Sequence, residues 1–345
     1  MTTEHSSIAR FLLLTAAFVV VVAGMKAATP ILVPFLLSLF IAVVCSPLLI
    51  WLHRHRVPNG MAIVAVIVMI VVVGMLIASV MGSSIQSFQQ DLPLYQQRLQ
   101  EMSGGLQQRL AAKGLEIGSE QWSSVFDPGA VLTMASKIVA SFGNMMTNAF
   151  LILLTVIFIL AEEVGFSEKL RISSSDSAKT LQGIERFTAS VNQYMAIKTL
   201  LSLVTAVLIM LWLWVLGVDY IVLWGLLAFL LNFIPNLGSI LAALPVVLLA
   251  LVQLGPMTAI LTALGYLLVN VVIGNAIEPR FMGKGLDLSA LVVFLSLVFW
   301  GWVLGSVGML LSVPLTMTVK IALESSDDTR WLGVMLGSGR SAKQA

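Results

Sequence analysis

Charged residues are scarce in this chain. Lys, Arg, Asp and Glu together make up 10% of its 345 residues, whereas apolar residues make up 59%, and the mean hydropathy is +1.00. A water-soluble domain of this size cannot bury so large an apolar fraction in one core. The sequence therefore predicts an all-α polytopic membrane protein, because helices satisfy their own backbone hydrogen bonds in lipid.

The groups that most enzymes and metal sites need are also few. Cys45 is the single cysteine, so no disulfide can form within the chain, and the three histidines, His5, His53 and His55, lie near the N-terminus or in a basic loop. The sequence contains no HExxH motif, no cysteine cluster and no GxxxxGK[ST] loop. We therefore expect no catalytic residues, no metal, no cofactor and no ATPase activity.

The small net charge of +2 gives no reason to expect a nucleic-acid partner, because the basic residues are spread over loops. Their placement instead predicts the orientation of the chain in the membrane. Arg54 and Arg56 lie in a short loop and mark the cytoplasmic side by the positive-inside rule. Counting spans from that loop places both termini in the cytoplasm, although Lys26 then falls outside.

A bilayer core about 30 Å thick needs roughly 20 helical residues, and this length divides the sequence into predicted membrane spans and longer apolar runs. Two apolar runs, Tyr220–Leu254 and Leu288–Val319, are too long for one span, and each is predicted to form a re-entrant or broken hairpin. The predicted full spans are Phe11–Ala28, Ile31–Leu52, Met61–Met81, Ile138–Ala161, Thr199–Leu216 and Met257–Ile277.

These spans predict six regions. They are N-terminal transmembrane helices at 1–81, an extracytoplasmic amphipathic helical segment at 82–137, a transmembrane helix at 138–161, a cytoplasmic helical linker at 162–198, a transport core with two hairpins at 199–322, and a cytoplasmic tail at 323–345.

The extracytoplasmic segment carries apolar residues alternately three and four positions apart, a heptad seam. It predicts either an amphipathic helix that lies on its own membrane domain or in the lipid interface, or a helix that pairs with its copy in another subunit. The seam residues are Ile85, Phe88, Leu92, Tyr95, Leu99, Met102 and Leu106.

The stretch LLNFIPNLGSILAALP lies inside a run, Ile221–Ile277, that has no charged residue. Pro235 ends one helical half and Gly238 permits the turn into the next. Broken backbone at membrane depth is tolerated only beside protein or a water-filled cavity. Asn232 and Asn236 are therefore predicted to face a substrate pathway or, alternatively, a helix contact.

The second hairpin has Gly301, Gly305 and Gly308 at its middle. Gly301 and Gly305 form a GxxxG pair that predicts close helix packing. A glycine stands six or seven residues before a proline in both LGSILAALP and VGMLLSVP, which hints that the two hairpins are related.

Two more amides, Asn270 and Asn275, lie in the apolar helix between the hairpins and are assigned to the same predicted substrate pathway. That helix ends at Glu278, followed by Pro279 and Arg280. The two charges predict either an ordinary ion pair at the membrane interface or a cytoplasmic gate or proton-coupling site.

Three stretches are similar to the autoinducer-2 exporter (AI-2E) family of bacterial inner-membrane proteins. They are VPFLLSLFIAVVCSPL near the start, VLWGLLAFLLNFIPNLGS at the first hairpin, and IEPRFMGKGLDLSALVVFLSLVFWGWVLGSVGMLLSVPLT towards the end. Mild departures include Phe233 where the family pattern has tyrosine and Ile277 where it has leucine. The resemblance implies a homo-oligomeric permease, with five subunits the best expectation, that exports a furanone quorum-sensing signal or a similar small polar molecule.

Two other functions stay open at this point. Some branches of the family are associated with sodium or lithium/proton antiport, so the resemblance alone does not fix the substrate. A third hypothesis is an oligomeric membrane scaffold that binds a partner through its extracytoplasmic helix.

Overall fold

The computed structural model describes residues 3–111, 149–173, 177–235, 237–282, 288–324 and 329–337. All regular secondary structure in these ranges is helical. The helices are α1 Thr3–Ala27, α2 Thr29–Arg54, α3 Asn59–Ala111, α4 Ala149–Ser173, α5 Ser177–Leu216, α6 Ile221–Leu231, α7 Gly238–Leu254, α8 Pro256–Asn270, a π-helix Val271–Ile277, α9 Glu278–Met282, α10 Ala290–Leu310, α11 Ser312–Glu324 and α12 Arg330–Leu336.

Five of the described helical segments are long and apolar enough to cross a bilayer: Thr29–Arg54, Asn59–Phe88, Ala189–Leu216, Pro256–Phe281 and Ala290–Leu310. Four shorter apolar helices accompany them: Leu12–Ala27, Ala149–Glu162, Ile221–Leu231 and Gly238–Leu254. The predicted all-α, polytopic membrane architecture with broken hairpins is confirmed. The start of the predicted span 138–161 lies outside the described residues.

Four helices continue through the predicted region boundaries: α3, α4, α5 and α11. The two longest of them are α3 and α5. α3 is a single helix of 53 residues, about 80 Å long, that runs from the apolar span into the glutamine-rich segment. α5 is a single helix of 40 residues that joins the predicted cytoplasmic linker to the span beginning at Thr199. Gln, Glu, Leu and Arg are good helix formers, so neither change of polarity ends the helix.

The chain forms two compact units. The first contains Met1–Val64, Phe150–Ala196 and Gly283–Ala345, and the second contains Ala65–Ala149 and Ile197–Met282. The first unit holds the second hairpin and the second unit holds the first hairpin.

In the first unit, α10 and α11 form the predicted second hairpin. The Trp300 indole donates to the Thr316 hydroxyl at 3.0 Å, and Thr316 donates to Ser296 at 2.8 Å. Ser296 in turn donates to the carbonyl of Ser312 at 2.9 Å. This buried chain of bonds satisfies polar groups that would otherwise be costly in lipid and ties the two helices together.

The three glycines of this hairpin have different structural roles. Gly305 interrupts α10 with φ +70°, a conformation that L side chains rarely adopt, and a Cβ there would meet nothing within 4 Å. Gly308 sits against backbone, since a Cβ would lie 2.0 Å from the carbonyl oxygen of Trp300. Gly301 faces the Met309 side chain, whose Cγ would lie 2.7 Å from a Cβ at position 301. Gly305 therefore permits the bend, and Gly301 and Gly308 permit the close contacts.

Candidate functional site

The first hairpin breaks where the sequence predicts it. α6 ends at Leu231 and α7 begins at Gly238. With 11 and 17 residues, the halves are about 16 and 25 Å long, and neither spans a core of about 30 Å comfortably. The backbone amide of Ile234 donates to the Leu231 carbonyl at 2.8 Å, and that of Gly238 donates to the Ile234 carbonyl at 3.2 Å. These tight turns satisfy backbone groups that the helix break leaves open.

Gly238 closes this turn. A Cβ at position 238 would lie 1.8 Å from the carbonyl oxygen of Leu231 and 2.7 Å from its carbonyl carbon. Backbone atoms cannot yield as a flexible side chain can, so only glycine lets the start of α7 approach the end of α6 so closely. Pro235 lies half-buried in the connection, and Asn236 lies outside the described residues.

Asn232, the first residue after α6, is fixed by a buried partner. Its Nδ2 donates to the hydroxyl oxygen of Ser202 on α5 at 2.9 Å, and Ser202 has no exposed surface. An amide is thus held in place inside an apolar segment by a second helix of the same unit. Sequence reasoning identified Asn232 but not Ser202.

Ser202 belongs to a buried polar face on α5, which we call the α5 polar face and define as Lys198, Ser202 and Thr205. The spacing of four and then three residues places all three on one side of the helix, and all three are buried. They extend about 10 Å along the apolar span Ala189–Leu216. The signal was present in the sequence KTLLSLVTAV, where polar residues recur at helical spacing between apolar ones.

A small cavity of about 10 Å³ lies at the Thr205 end of the α5 polar face, about the space that one water molecule needs. Its polar lining converges from both parts of the broken helix and from α5 and α8. The lining residues are Thr205, Ile209, Ala228, Asn232, Ser239, Ala242, Tyr266, Val269 and Asn270.

Three hydroxyls in this region lack a hydrogen-bond partner within the described part of the chain. They belong to Thr205, Thr262 and Tyr266, and all three oxygens are buried. A buried unpaired hydroxyl costs about 1–3 kcal/mol, so native structures rarely keep several together without a purpose. Thr205 and Tyr266 line the cavity with Asn232 and Asn270, which gives it donors and acceptors suited to a small hydroxylated molecule.

The helix that carries Asn270 changes its form immediately afterwards. Residues Val271–Ile277 form a π-helix, a rare conformation that is frequent at functional sites. Asn275, the other amide predicted here, is exposed on this segment. The cavity and the predicted gate at Glu278 therefore lie at opposite ends of one widened helical segment.

Glu278 pairs with Lys198. The Lys198 Nζ and the Glu278 Oε1 are 2.7 Å apart, and the two side chains are only 6% and 18% exposed. Arg280, the partner in one of the two sequence-based alternatives, is exposed. Of the two alternatives for Glu278, the exposed ion pair with Arg280 does not form, because Lys198 on α5, 80 positions away in the sequence, pairs with the carboxylate.

The described residues thus place a series of polar side chains in the second unit, with two side-chain contacts among them. Glu278 meets Lys198, which lies one helical turn from Ser202. Ser202 bonds to Asn232, and Asn232 faces the cavity together with Asn270. Among the predicted pathway residues, Asn232 and Asn270 meet at this cavity and Gly238 shapes its turn.

The start of the first hairpin contacts α3 where that helix leaves its apolar span. Tyr220, which precedes α6, donates its hydroxyl to the Asp91 carboxylate. The Phe88 ring packs edge-on against Tyr220 and Trp224, with centroids 5.8 and 6.1 Å apart. One hydrogen bond and two aromatic contacts thus tie the start of the first hairpin to α3.

These contacts bear on the two interpretations of the heptad seam. Phe88 and Tyr95 are buried against their own chain, and Arg98 donates to the Gln253 carbonyl at 3.4 Å. Burial raises the pKa of Tyr95 above its ordinary value. At these two seam positions the helix lies on its own membrane domain. The side chains of the other five seam residues lie outside the described part of the structure.

Comparison with known proteins bears on the whole chain. The model of the AI-2E family transporters matches residues 14–327. The chain is 43% identical over 336 residues to a putative transport protein of Haemophilus influenzae, covering 95% of this chain and 96% of that protein. It is 40% identical over 327 residues to the AI-2 transport protein TqsA of Escherichia coli, covering 95% of each. A putative transport protein of Borreliella burgdorferi is 28% identical over 92% of this chain and 87% of its own length. Given a family match over nearly its full length and relatives of this identity, the chain belongs to the AI-2E family of transporters.

Proposed function

We propose that this transporter exports a small, uncharged, hydroxylated signal, with autoinducer-2 as the substrate. The name of the E. coli relative supports this choice of substrate. The observation that carries the proposal is the small cavity where Asn232 and Asn270 converge with the unpaired hydroxyls of Thr205 and Tyr266 in the described part of the chain. A polar molecule can cross lipid at low energetic cost only if such groups replace its bonds to water.

The cavity is too small to admit a substrate in the described conformation. About 10 Å³ is far below the roughly 300–1,000 Å³ of ordinary small-molecule sites, so the pathway must widen before a signal can enter. Two elements can provide that motion without opening an intact α-helix: the connection between α6 and α7, and the π-helix Val271–Ile277. The described conformation is therefore too narrow to hold the substrate.

The Lys198–Glu278 pair is proposed as the cytoplasmic gate. By the positive-inside assignment, the chain lies in the bacterial inner membrane with both termini in the cytoplasm, so this pair closes the inner end of the pathway. Separating the two charges exposes them to water that enters with the substrate, which lowers the cost of opening. The assembly is proposed to be a homo-oligomer of five subunits, and no step requires catalysis, a metal or a cofactor.

Replacing Asn232 by leucine is expected to slow export about tenfold, since a site that loses one amide leaves the polar groups of its substrate unpaired. The measurement is release of autoinducer-2 from preloaded proteoliposomes. Thr155→Val is the matched control, because the Thr155 hydroxyl bonds to the Leu151 carbonyl of its own helix. Wild-type rates in Asn232→Leu, at equal protein content and equal melting temperature, would contradict the proposal.

The same vesicles separate the competing functions. Sodium-dependent proton movement without signal release would favour the monovalent cation antiporter. Absence of both fluxes, combined with a phenotype that depends on the segment from Ile85 to Leu106, would favour the scaffold.

A further inference from the structure

The first unit has a groove at the end of α2 that plays no part in the pathway described above. Its volume is about 380 Å³, within the range of small-molecule sites. It lies between α2 and α5, and it is lined by Ser46, Pro47, Ile50, Trp51, Arg54 and Asn192.

The lining changes character along the groove. Ile50 and Pro47 form an apolar wall on the membrane span Thr29–Arg54, where both are exposed. Arg54 and Asn192 supply charge and hydrogen-bond donors at the end of that span. Trp51 lies between these parts and is 54% exposed, in the position that tryptophan favours at a membrane interface.

The charge at this end is uncompensated within the described residues. Arg54 forms no ion pair there, and the adjoining residues His53, His55 and Arg56 add no acidic group. Trp51 and His55 pack together with ring centroids 4.3 Å apart, which holds the aromatic wall in place. A guanidinium next to an apolar trough matches a ligand with an anionic head and a hydrocarbon tail.

We propose that this groove binds one anionic phospholipid. The phosphodiester accepts hydrogen bonds from Arg54 and Asn192, and an acyl chain lies along Ile50 and Pro47. Basic pockets between transmembrane helices on the cytoplasmic side recognise anionic headgroups in this way. The groove lies on a membrane span, so phospholipid reaches it directly from the bilayer.

The experiment measures lipid retention, which does not depend on transport. The full-length protein is purified, incubated in micelles with phosphatidylglycerol or phosphatidylcholine, and examined by native mass spectrometry. The wild type is expected to retain phosphatidylglycerol in preference to phosphatidylcholine. Arg54→Gln is expected to lower phosphatidylglycerol retention about fivefold or more, as loss of one arginine–phosphate contact implies.

Two further variants make the result specific. Asn192→Trp fills the groove without changing charge and is expected to remove phosphatidylglycerol as Arg54→Gln does. Arg330→Gln removes an exposed arginine elsewhere in the first unit and is expected to leave retention unchanged. Equal retention of both lipids by the wild type, or an unchanged Arg54→Gln, would overturn the proposal. An equal loss of phosphatidylglycerol in Arg330→Gln would also overturn it, because it would indicate an effect of general surface charge. A change of oligomer mass alone in Asn192→Trp would do the same, because it would indicate that a second copy of the chain occupies the groove.

Discussion

Replacement of Lys198 by methionine is expected to lower the free energy of unfolding by about 3–5 kcal/mol, because it leaves the Glu278 carboxylate buried without its cation. The 2.7 Å contact and the low exposure of both side chains place this pair among the buried ones, for which loss of one partner is costly. The measurement is unfolding in mixed micelles at increasing SDS, followed by circular dichroism.

The double variant Lys198→Met with Glu278→Gln is expected to recover most of this loss, since a neutral pair has no uncompensated charge. Arg280→Gln is the matched control, because it removes an exposed cation two residues from Glu278, and it is expected to change stability by less than about 0.5 kcal/mol. A larger loss in Arg280→Gln than in Lys198→Met would show that the carboxylate pairs with Arg280 after all. Export by the double variant is expected to be leaky, since the proposed gate then lacks its charges.

Replacement of Gly238 by alanine is expected to cost about 3 kcal/mol or more, because the new methyl group would overlap the Leu231 carbonyl. The position that a Cβ would take is 1.8 Å from that oxygen, so the turn between α6 and α7 must open. Opening it also moves Asn232 away from Ser202, so export is expected to fall with stability. The apparent melting temperature in detergent and the export rate check both effects.

Gly74→Ala provides the comparison for this substitution. Gly74 lies in the apolar part of α3, in the same unit, and a Cβ there would meet nothing within 4 Å. Alanine is the better helix former by about 1 kcal/mol, so this variant is expected to be as stable as the wild type or slightly more stable. If Gly238→Ala has the same melting temperature as Gly74→Ala, the close approach at the turn does not matter for stability.

Hydropathy and backbone chemistry were sufficient to predict the class of fold and the two broken hairpins. A run such as Tyr220–Leu254 is too long for one span, and Pro235 with Gly238 gives the break a cause that is local in sequence. Features of this kind depend on neighbouring residues and on the thickness of the bilayer, so they can be recognised before any tertiary contact is known.

The polar face of α5 could not be found in that way. Lys198 was expected to end a cytoplasmic linker, because an isolated cation normally marks the edge of a span. The structure instead buries Lys198 within one continuous helix, and this is tolerable only because Glu278 meets it from a distant part of the chain. A pair with Arg280 was one alternative for the converse reason: proximity in sequence was the only information on the partner of Glu278.

Gly305 illustrates a similar limit. Its GxxxG spacing with Gly301 is typical of close packing between helices, but the same residue type also permits a positive φ. Which property a glycine supplies is decided by the path of the backbone, and the pattern of residues alone does not distinguish them.

The π-helix has a geometric consequence for the gate. Its turns contain more residues than those of an α-helix, so the segment Val271–Ile277 sets the angular offset between the side chains at its two ends. Rewinding that segment as an α-helix would rotate Glu278 about the axis relative to Asn270 and carry its carboxylate away from Lys198. A change in the winding of this segment beside the cavity would thus separate Glu278 from Lys198 at the cytoplasmic side. The seven residues of the segment would couple the two movements mechanically.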